Sequence, residues 1–210
     1  KMDARTFGFE DLKKILIGKR ICKVEVFLDK IVYNKKDEFI KNSEGQTVLD
    51  VKRRGKWLLF ELDSNYIIIH FRMEGRFYLL PLNEKRDKHV IFYFDDFSLH
   101  FNDPRLFGKM EVIKKDDLEK FFLDKKLGLE YTDSNLTPEY LKGKFKTHHT
   151  DIKKMLLDQS YVTGIGNIYA DEILFASKIN PKSYADRLTK PKLKEIIDNT
   201  KKVFEHSLKY

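Results

Sequence analysis

Residues 151–181, DIKKMLLDQSYVTGIGNIYADEILFASKINP, read as a helix, a glycine-bearing turn and a second helix. Ile152, Met155 and Leu156 fall on one face at helical spacing, and Thr150 stands where it can cap the start. Ile165, Ile168, Tyr169, Ile173 and Ala176 make a second apolar stripe, which Asn180-Pro181 ends. Between the two, Val162-Thr163-Gly164-Ile165-Gly166-Asn167 sets two glycines at a helix start, where backbone amides meet an anion readily. In a basic chain the natural anion is a nucleic-acid phosphate. A tight turn between helices that holds no ligand is the plainer alternative.

The chain is basic: 41 Lys and Arg against 33 Asp and Glu give 210 residues a formal charge of +8, which favours a polyanionic partner. Hydrophobic residues at 41% and charged residues at 35% describe a globular protein and exclude a disordered tail. A single cysteine, Cys22, rules out an internal disulfide and a Cys-rich zinc site within these residues. No run approaches the length of a membrane span and the first residues lack a signal-peptide pattern, so a soluble intracellular protein is expected.

Outward from the central stretch, FEDLKKILIG from Phe9 predicts a helix with Leu12, Ile15 and Leu16 inward and Gly18 as its stop. Ile21, Val24, Val26 and Leu28 predict an extended segment between Arg20 and Tyr33. VLDVKRRGKWLLFEL and NYIIIHFRMEGRFYLL read as long strand runs joined by a turn at Asp63-Ser64-Asn65, followed by strands at 89–94 and 98–101. So many short strands bury their apolar faces best as a two-layer antiparallel sandwich. Within it Lys52, Arg53, Arg54 and Lys56 form a basic cluster, with Gly55 as a bulge; phosphate contact and a solvated strand edge both account for it. Asn102-Asp103-Pro104-Arg105 is turn-forming, and Phe107 beyond it is either a wedge offered to a base stack or a plug for the core.

Leu118, Phe121 and Phe122 predict a short helix, and Pro138 starts another. His148 and His149 lack a ligand set and read as surface residues. Thr189 caps a last helix whose inward stripe is Leu193, Ile196, Ile197, Thr200, Val203 and Phe204. The fold class is therefore α+β: a β-sandwich domain with an N-terminal helix over 1–130, then an all-helical domain over 131–210.

Four motifs carry a resemblance. RRGKWLLFEL with Lys56, IIIHFRMEGRF with His70 and Met73, NDPRLFG with Arg105 and Phe107, and LLDQSYVTGIGNIYADEILF with Asn167 and Glu172 follow one another in the order of the bacterial formamidopyrimidine-DNA glycosylases. That group also includes endonuclease VIII, and the chain resembles it from about Gly18 to Tyr210. The resemblance implies a helix-two-turn-helix unit over 131–210 and a DNA duplex, damaged or abasic, held between two domains by a monomer. It casts Lys56 and Asn167, with the Gly164 and Gly166 turn, as phosphate contacts and His70 as a backbone contact. Met73 and Phe107 become wedges and Arg105 the partner of the orphaned base, which fits the need to fill the hole left by a flipped nucleotide. Glu172, on an otherwise apolar helix face, reads as a buried structural carboxylate.

The implied activity is base-excision repair: glycosylase and AP lyase on oxidised or ring-opened purines in the bacterial cytoplasm, at the nucleoid. Two features depart from the family pattern. Family enzymes open with a proline whose amine attacks the sugar, followed by a glutamate; here the opening is Lys1-Met2-Asp3, and Lys1 and Asp3 are the substitute candidates for amine and acid. Family chains also continue into a capping loop and a β-hairpin finger, often with one zinc; the residues given include no such finger and imply no cofactor of their own. The competing readings are a non-catalytic relative that binds damaged or abasic DNA, and an RNA-binding protein built on the same helical unit.

Overall fold

The computed structural model describes residues 8–70, 76–84 and 89–209, with side chains to 207. Lys1, Asp3 and Met73 lie outside the described residues. The chain divides into two compact units, 1–120 and 121–210.

The first unit begins with α1 (Phe9–Leu16), where Leu12 and Leu16 are buried at one helical period, and Gly18 at φ +83° follows it. Next come β1 (Lys23–Val26), a single 3-10 turn at Asp29–Ile31, and α2 (Lys36–Ser43). Seven strands follow: β2 (Asp50–Arg54), β3 (Trp57–Glu61), β4 (Asn65–His70), β5 (Arg76–Leu80), β6 (Val90–Tyr93), β7 (Ser98–Asn102) and β8 (Lys109–Lys114). They form two antiparallel sheets, ordered β1-β6-β7-β5 and β2-β3-β4-β8. Alternation along each strand sends Val51, Leu58, Phe60, Ile67, Ile69 and Met110 from one sheet into the same core as Val24, Phe92, Leu99 and Phe101 from the other. Phe60 of β3 ties the layers together, its ring 5.7 Å from Phe77 and 6.3 Å from Phe92. The expected antiparallel sandwich is present.

Several local expectations change. The basic run is a hairpin rather than one strand: Arg54 pairs with Trp57, so Gly55 and Lys56 form a two-residue turn and not a bulge. The extended segment from Arg20 is shorter than expected, because the chain coils into the 3-10 turn after Val26. Two elements were not foreseen: α2, which buries Phe39 completely, and β8, the partner of β4.

A 3-10 turn at Lys115–Asp117 leads into α3 (Leu118–Asp124), which crosses the boundary between the units; the rest of the second unit is helical, with α4 (Pro138–Phe145), α5 (Ile152–Leu157), α6 (Asn167–Ala176) and α7 (Lys190–Lys209). α4 starts as its sequence dictates, with Pro138 in the first turn and Thr137 Oγ1 accepting the Tyr140 amide at 3.1 Å. α7 lays Leu193, Ile196, Ile197, Thr200 and Phe204 against α4 and α6, and the Phe204 ring stacks on Tyr131 at 4.8 Å. The cap of α5 is Asp151, not Thr150, and its side chain bonds no helix amide. α6 also differs from its expected stripe: it begins at Asn167, which turns Ala170, Ile173 and Leu174 inward and leaves Ile168 and Ala176 exposed. It stops at Ala176, before Asn180-Pro181, through Lys178 in the left-handed region at φ +54°.

Candidate nucleic-acid interface

In the first unit the site grows out of strand register. Arg54 of β2 faces Trp57 of β3, Trp57 faces His70 of β4, and His70 faces Lys109 of β8. Directly paired residues of antiparallel strands point to one side, so these four form a row across one end of the sheet. The Trp57 and His70 rings lie 4.4 Å apart at a 55° tilt. Lys109 Nζ sits 5.7 Å over the ring of exposed Tyr33 and donates to the Lys30 carbonyl.

Lys56 projects from the turn beside Trp57. It is half-buried, among the described residues it has no ion pair or hydrogen bond, and burial lowers its pKa from the ordinary lysine value. Lys52 is a different kind of lysine. Burial pulls its pKa down, but the hydrogen bond and charge of Glu61, with help from Tyr66, leave it raised. Glu61 lies 3.3 Å from Lys52 Nζ and 3.6 Å from Lys115 Nζ, so two cations share one acid. The basic cluster of the sequence thus separates: Lys52 is engaged in a surface ion-pair network, while Lys56 faces no acid among the described residues.

The 103–108 loop stands against the same end of the sheet. Asp103 is fully buried, and its carboxylate accepts the amide of Arg105 at 3.1 Å and the amide of Gly108. Its own amide donates to His89 Nδ1 at 3.0 Å, and its carbonyl accepts the Leu106 amide at 3.0 Å. Leu106 is held in the left-handed region at φ +59°. Gly108 is needed for close approach: a Cβ there would lie 2.9 Å from Asp103 Oδ2, 3.0 Å from the Phe101 ring and 3.3 Å from the His70 carbonyl. The loop is therefore pressed onto the end of β4, and from it Arg105 and Phe107 extend outward. Phe107 is 50% exposed, which removes the core-plug reading. Lys56, His70, Arg105 and Phe107 are brought together at one edge.

In the second unit Gln159 shapes the turn between α5 and α6. Its Nε2 donates to the carbonyls of Leu157 at 3.1 Å and Ile165 at 3.0 Å, while its Oε1 accepts the Gly164 amide at 2.7 Å. Gly164 at φ +99° gives the backbone the left-handed step this path requires. Residues 128 and 129 lace in from the side: the Gly128 amide donates to Gln159 O at 2.7 Å, and the Thr163 amide to Leu129 O at 3.0 Å. Gly164 is buried with its amide committed, whereas Gly166 is the half-buried N-cap of α6 and Asn167 is exposed at its first position. No side chain caps this helix start, so its first-turn amides open outward with the positive end of the helix dipole.

Glu172 is exposed on α6 between exposed Ile168 and Phe175, so the expected buried carboxylate is corrected: the helix faces inward one residue later than its stripe implied. The histidines are engaged at the surface, His148 Nε2 with Tyr161 OH at 3.0 Å and His149 with Asp186 at 3.1 Å. Sequence reasoning passed over Trp57, Asp103, Lys109 and Gln159. Asp103 lies in a stretch already read as a turn, and Gln159 lies between the first helix and the glycine turn, outside both as read from sequence. Trp57 and Lys109 are legible only once register is known. Among the described residues no group of three or more His, Cys, Asp or Glu is placed to hold a metal ion, and no helix is long and apolar enough to cross a membrane.

Comparison with known proteins matches both units. Residues 6–110 fit the formamidopyrimidine-DNA glycosylase N-terminal domain, and residues 127–210 fit the formamidopyrimidine-DNA glycosylase H2TH domain. The formamidopyrimidine-DNA glycosylase of Carboxydothermus hydrogenoformans is 38% identical over 199 residues, which are 93% of this chain and 72% of that protein. Two Lactococcus lactis Fpg structures, one a variant complexed with Fapy-dG DNA and one with DNA containing an abasic site, each superpose with a TM-score of 0.91 at 32% identity, covering 96% of this chain and 75% of theirs. With both domain models matched in chain order over most of the chain, and a relative at 38% identity, this chain belongs to the formamidopyrimidine-DNA glycosylase family.

Proposed function

We propose that the chain is a base-excision repair DNA glycosylase with associated AP lyase activity on oxidised or ring-opened purines, acting as a monomer on duplex DNA in the bacterial cytoplasm, at the nucleoid. The observation that carries this reading is the edge where Lys56, His70, Arg105 and a half-exposed Phe107 meet. Lys56 and the α6 start at Gly166 and Asn167 grip phosphates, with Gly164 giving the turn its path. Phe107 enters the stack where a nucleotide has been flipped out, Arg105 faces the base left behind, and Met73, outside the described residues, is proposed as the second wedge.

The chemistry needs a neutral amine at the sugar. The amine adds to C1′ and the glycosidic bond breaks, its electron pair and a proton leaving with the base. The sugar ring then opens to an imine, and loss of a C2′ proton expels the 3′ phosphate. The α-amine of Lys1 and the carboxylate of Asp3 are the candidates for amine and proton carrier. The zinc of family fingers calls for a Cys-rich ligand set, which the described residues do not fit: Cys22 is the chain's one cysteine, and its thiol donates to Asp95 Oδ1 at 3.2 Å.

Borohydride trapping on a duplex with one abasic site or one 8-oxoguanine tests this. A covalent adduct is expected, and peptide mapping names the amine. Binding of the same duplex without any adduct would replace the enzyme with a lesion-binding relative. Preference for structured RNA over damaged duplex would remove both.

A further inference from the structure

We propose that Asp103 is a positioning residue, whose buried carboxylate pre-forms the turn that projects Arg105 and Phe107 before any duplex arrives. The inference rests on the wedge reading of Phe107 and adds to it a residue that touches no DNA.

Three observations carry it. First, Asp103 is fully buried, yet its carboxylate is spent on the backbone: it accepts the amides of Arg105 and Gly108, the two that bracket the projecting residues. A carboxylate accepting amides makes stronger hydrogen bonds than a neutral acceptor, so the turn is clasped at both ends. Second, Leu106 between the two projecting side chains sits at φ +59°, a conformation a leucine leaves unless its surroundings hold it. The clasp is what holds it, and the result is that Arg105 and Phe107 extend outward. Third, the clasp is anchored at its base. The Asp103 amide donates to His89 Nδ1, and Gly108 fits so closely between Asp103, Phe101 and the His70 carbonyl that the loop cannot settle inward. A wedge that must enter a base stack gains affinity when its shape is set in advance, because ordering is not charged to the binding step.

The test compares affinity for an abasic-site duplex with affinity for an intact duplex of the same sequence, in the wild type, Asp103→Asn, Phe107→Ala and the double variant. Asp103→Asn keeps the volume but turns an N–H₂ toward one of the clasped amides. It is expected to cut the abasic-over-intact ratio about tenfold, and the double variant is expected to lose no more than Phe107→Ala alone, because both act through one wedge. An unchanged ratio in Asp103→Asn beside a reduced one in Phe107→Ala would overturn the role of Asp103 and leave the wedge standing. Losses that multiply in the double variant would also overturn it. A ratio unmoved by Phe107→Ala would remove the wedge and this role together. Amide exchange of the free wild-type chain reads the clasp without any variant that must fold: Arg105 and Gly108 amides are expected to exchange about a hundredfold more slowly than an exposed loop amide. Loop-like rates at both would overturn the proposal whatever the variants do.

Discussion

The ring of Trp57 packs on the ring of His70 with centroids 4.4 Å apart, and strand pairing places these two residues opposite each other. Trp57 is the single tryptophan of the chain and adjoins Lys56, so its fluorescence reports on this edge alone. Duplex binding is expected to change its emission, saturating at one duplex per chain. An emission that stays constant while a gel or anisotropy assay registers binding would place the duplex elsewhere.

Lys56→Gln is expected to weaken binding to intact and abasic duplexes alike and to lower the salt slope by about 1. Lys52→Gln, which removes a cation already facing Glu61, is expected to leave the slope in place. Titration of binding against salt distinguishes the two.

The lowered pKa of Lys56 gives a pH dependence with a definite sign. Its ammonium is present below the folded pKa and is lost as pH rises through it, earlier than for an ordinary lysine. The wild-type salt slope is therefore expected to fall toward that of Lys56→Gln as alkaline pH is approached. For folding the sign is opposite: the unfolded chain binds more protons between the lowered pKa and the ordinary one near 10.4, so this residue's contribution to stability rises with pH in that window. Because Lys56 is half exposed, water screens much of its burial penalty, and the stability change is expected to be small beside the binding change. Denaturation midpoints and salt slopes measured at the same pH values check both signs.

Gln159→Ala strips the turn of two donors and one acceptor, leaving the Gly164 amide and the Leu157 and Ile165 carbonyls to find new partners. A loss of about 1–3 kcal/mol is expected in chemical denaturation, with weaker binding to every duplex and no change in lesion preference. Gln159→Glu retains the acceptor for Gly164 but sets an oxygen against the Leu157 and Ile165 carbonyls, so it is expected to lose at least as much stability as the alanine variant. A glutamate variant more stable than the alanine variant would assign most of the effect to the bond with the Gly164 amide.

Gly108→Ala brings a methyl within 3.0 Å of the Phe101 ring and still closer to Asp103 Oδ2, both buried. Something must move, and a destabilisation of about 1–3 kcal/mol is expected by thermal or chemical denaturation.

Much of this architecture could be read from residue type and spacing. The strands β6 and β7, the Pro138 start and the α7 stripe each follow from one local rule, and each is where it was expected. Positions that depend on partners distant in sequence were harder. Nothing near Lys109 announces that it continues a row begun at Arg54, because that alignment is set by pairing across the 38 residues of chain between His70 and Lys109. The Lys52 and Lys56 pair looked alike in sequence; Glu61, nine residues beyond Lys52, separates them. Glu172 and Ile168 were misplaced by a single step of helix phase, since the stripe was counted from Ile165, which belongs to the turn. Asp103 looked like a turn former, and it is one, but its burial and its two captured amides arise only when β4, β7 and the loop meet.

The row across β2, β3, β4 and β8 also determines which changes this edge tolerates. Each of its members stands on a different strand, so a substitution at one leaves the pairing register of the others unchanged. Adding or removing one residue within β4 is another matter: it would carry every later side chain of that strand to the opposite face, sending His70 toward the core and a core residue outward. Descendants of this sequence can therefore vary what the edge recognises by substitution, while changes of length are confined to the connections between strands.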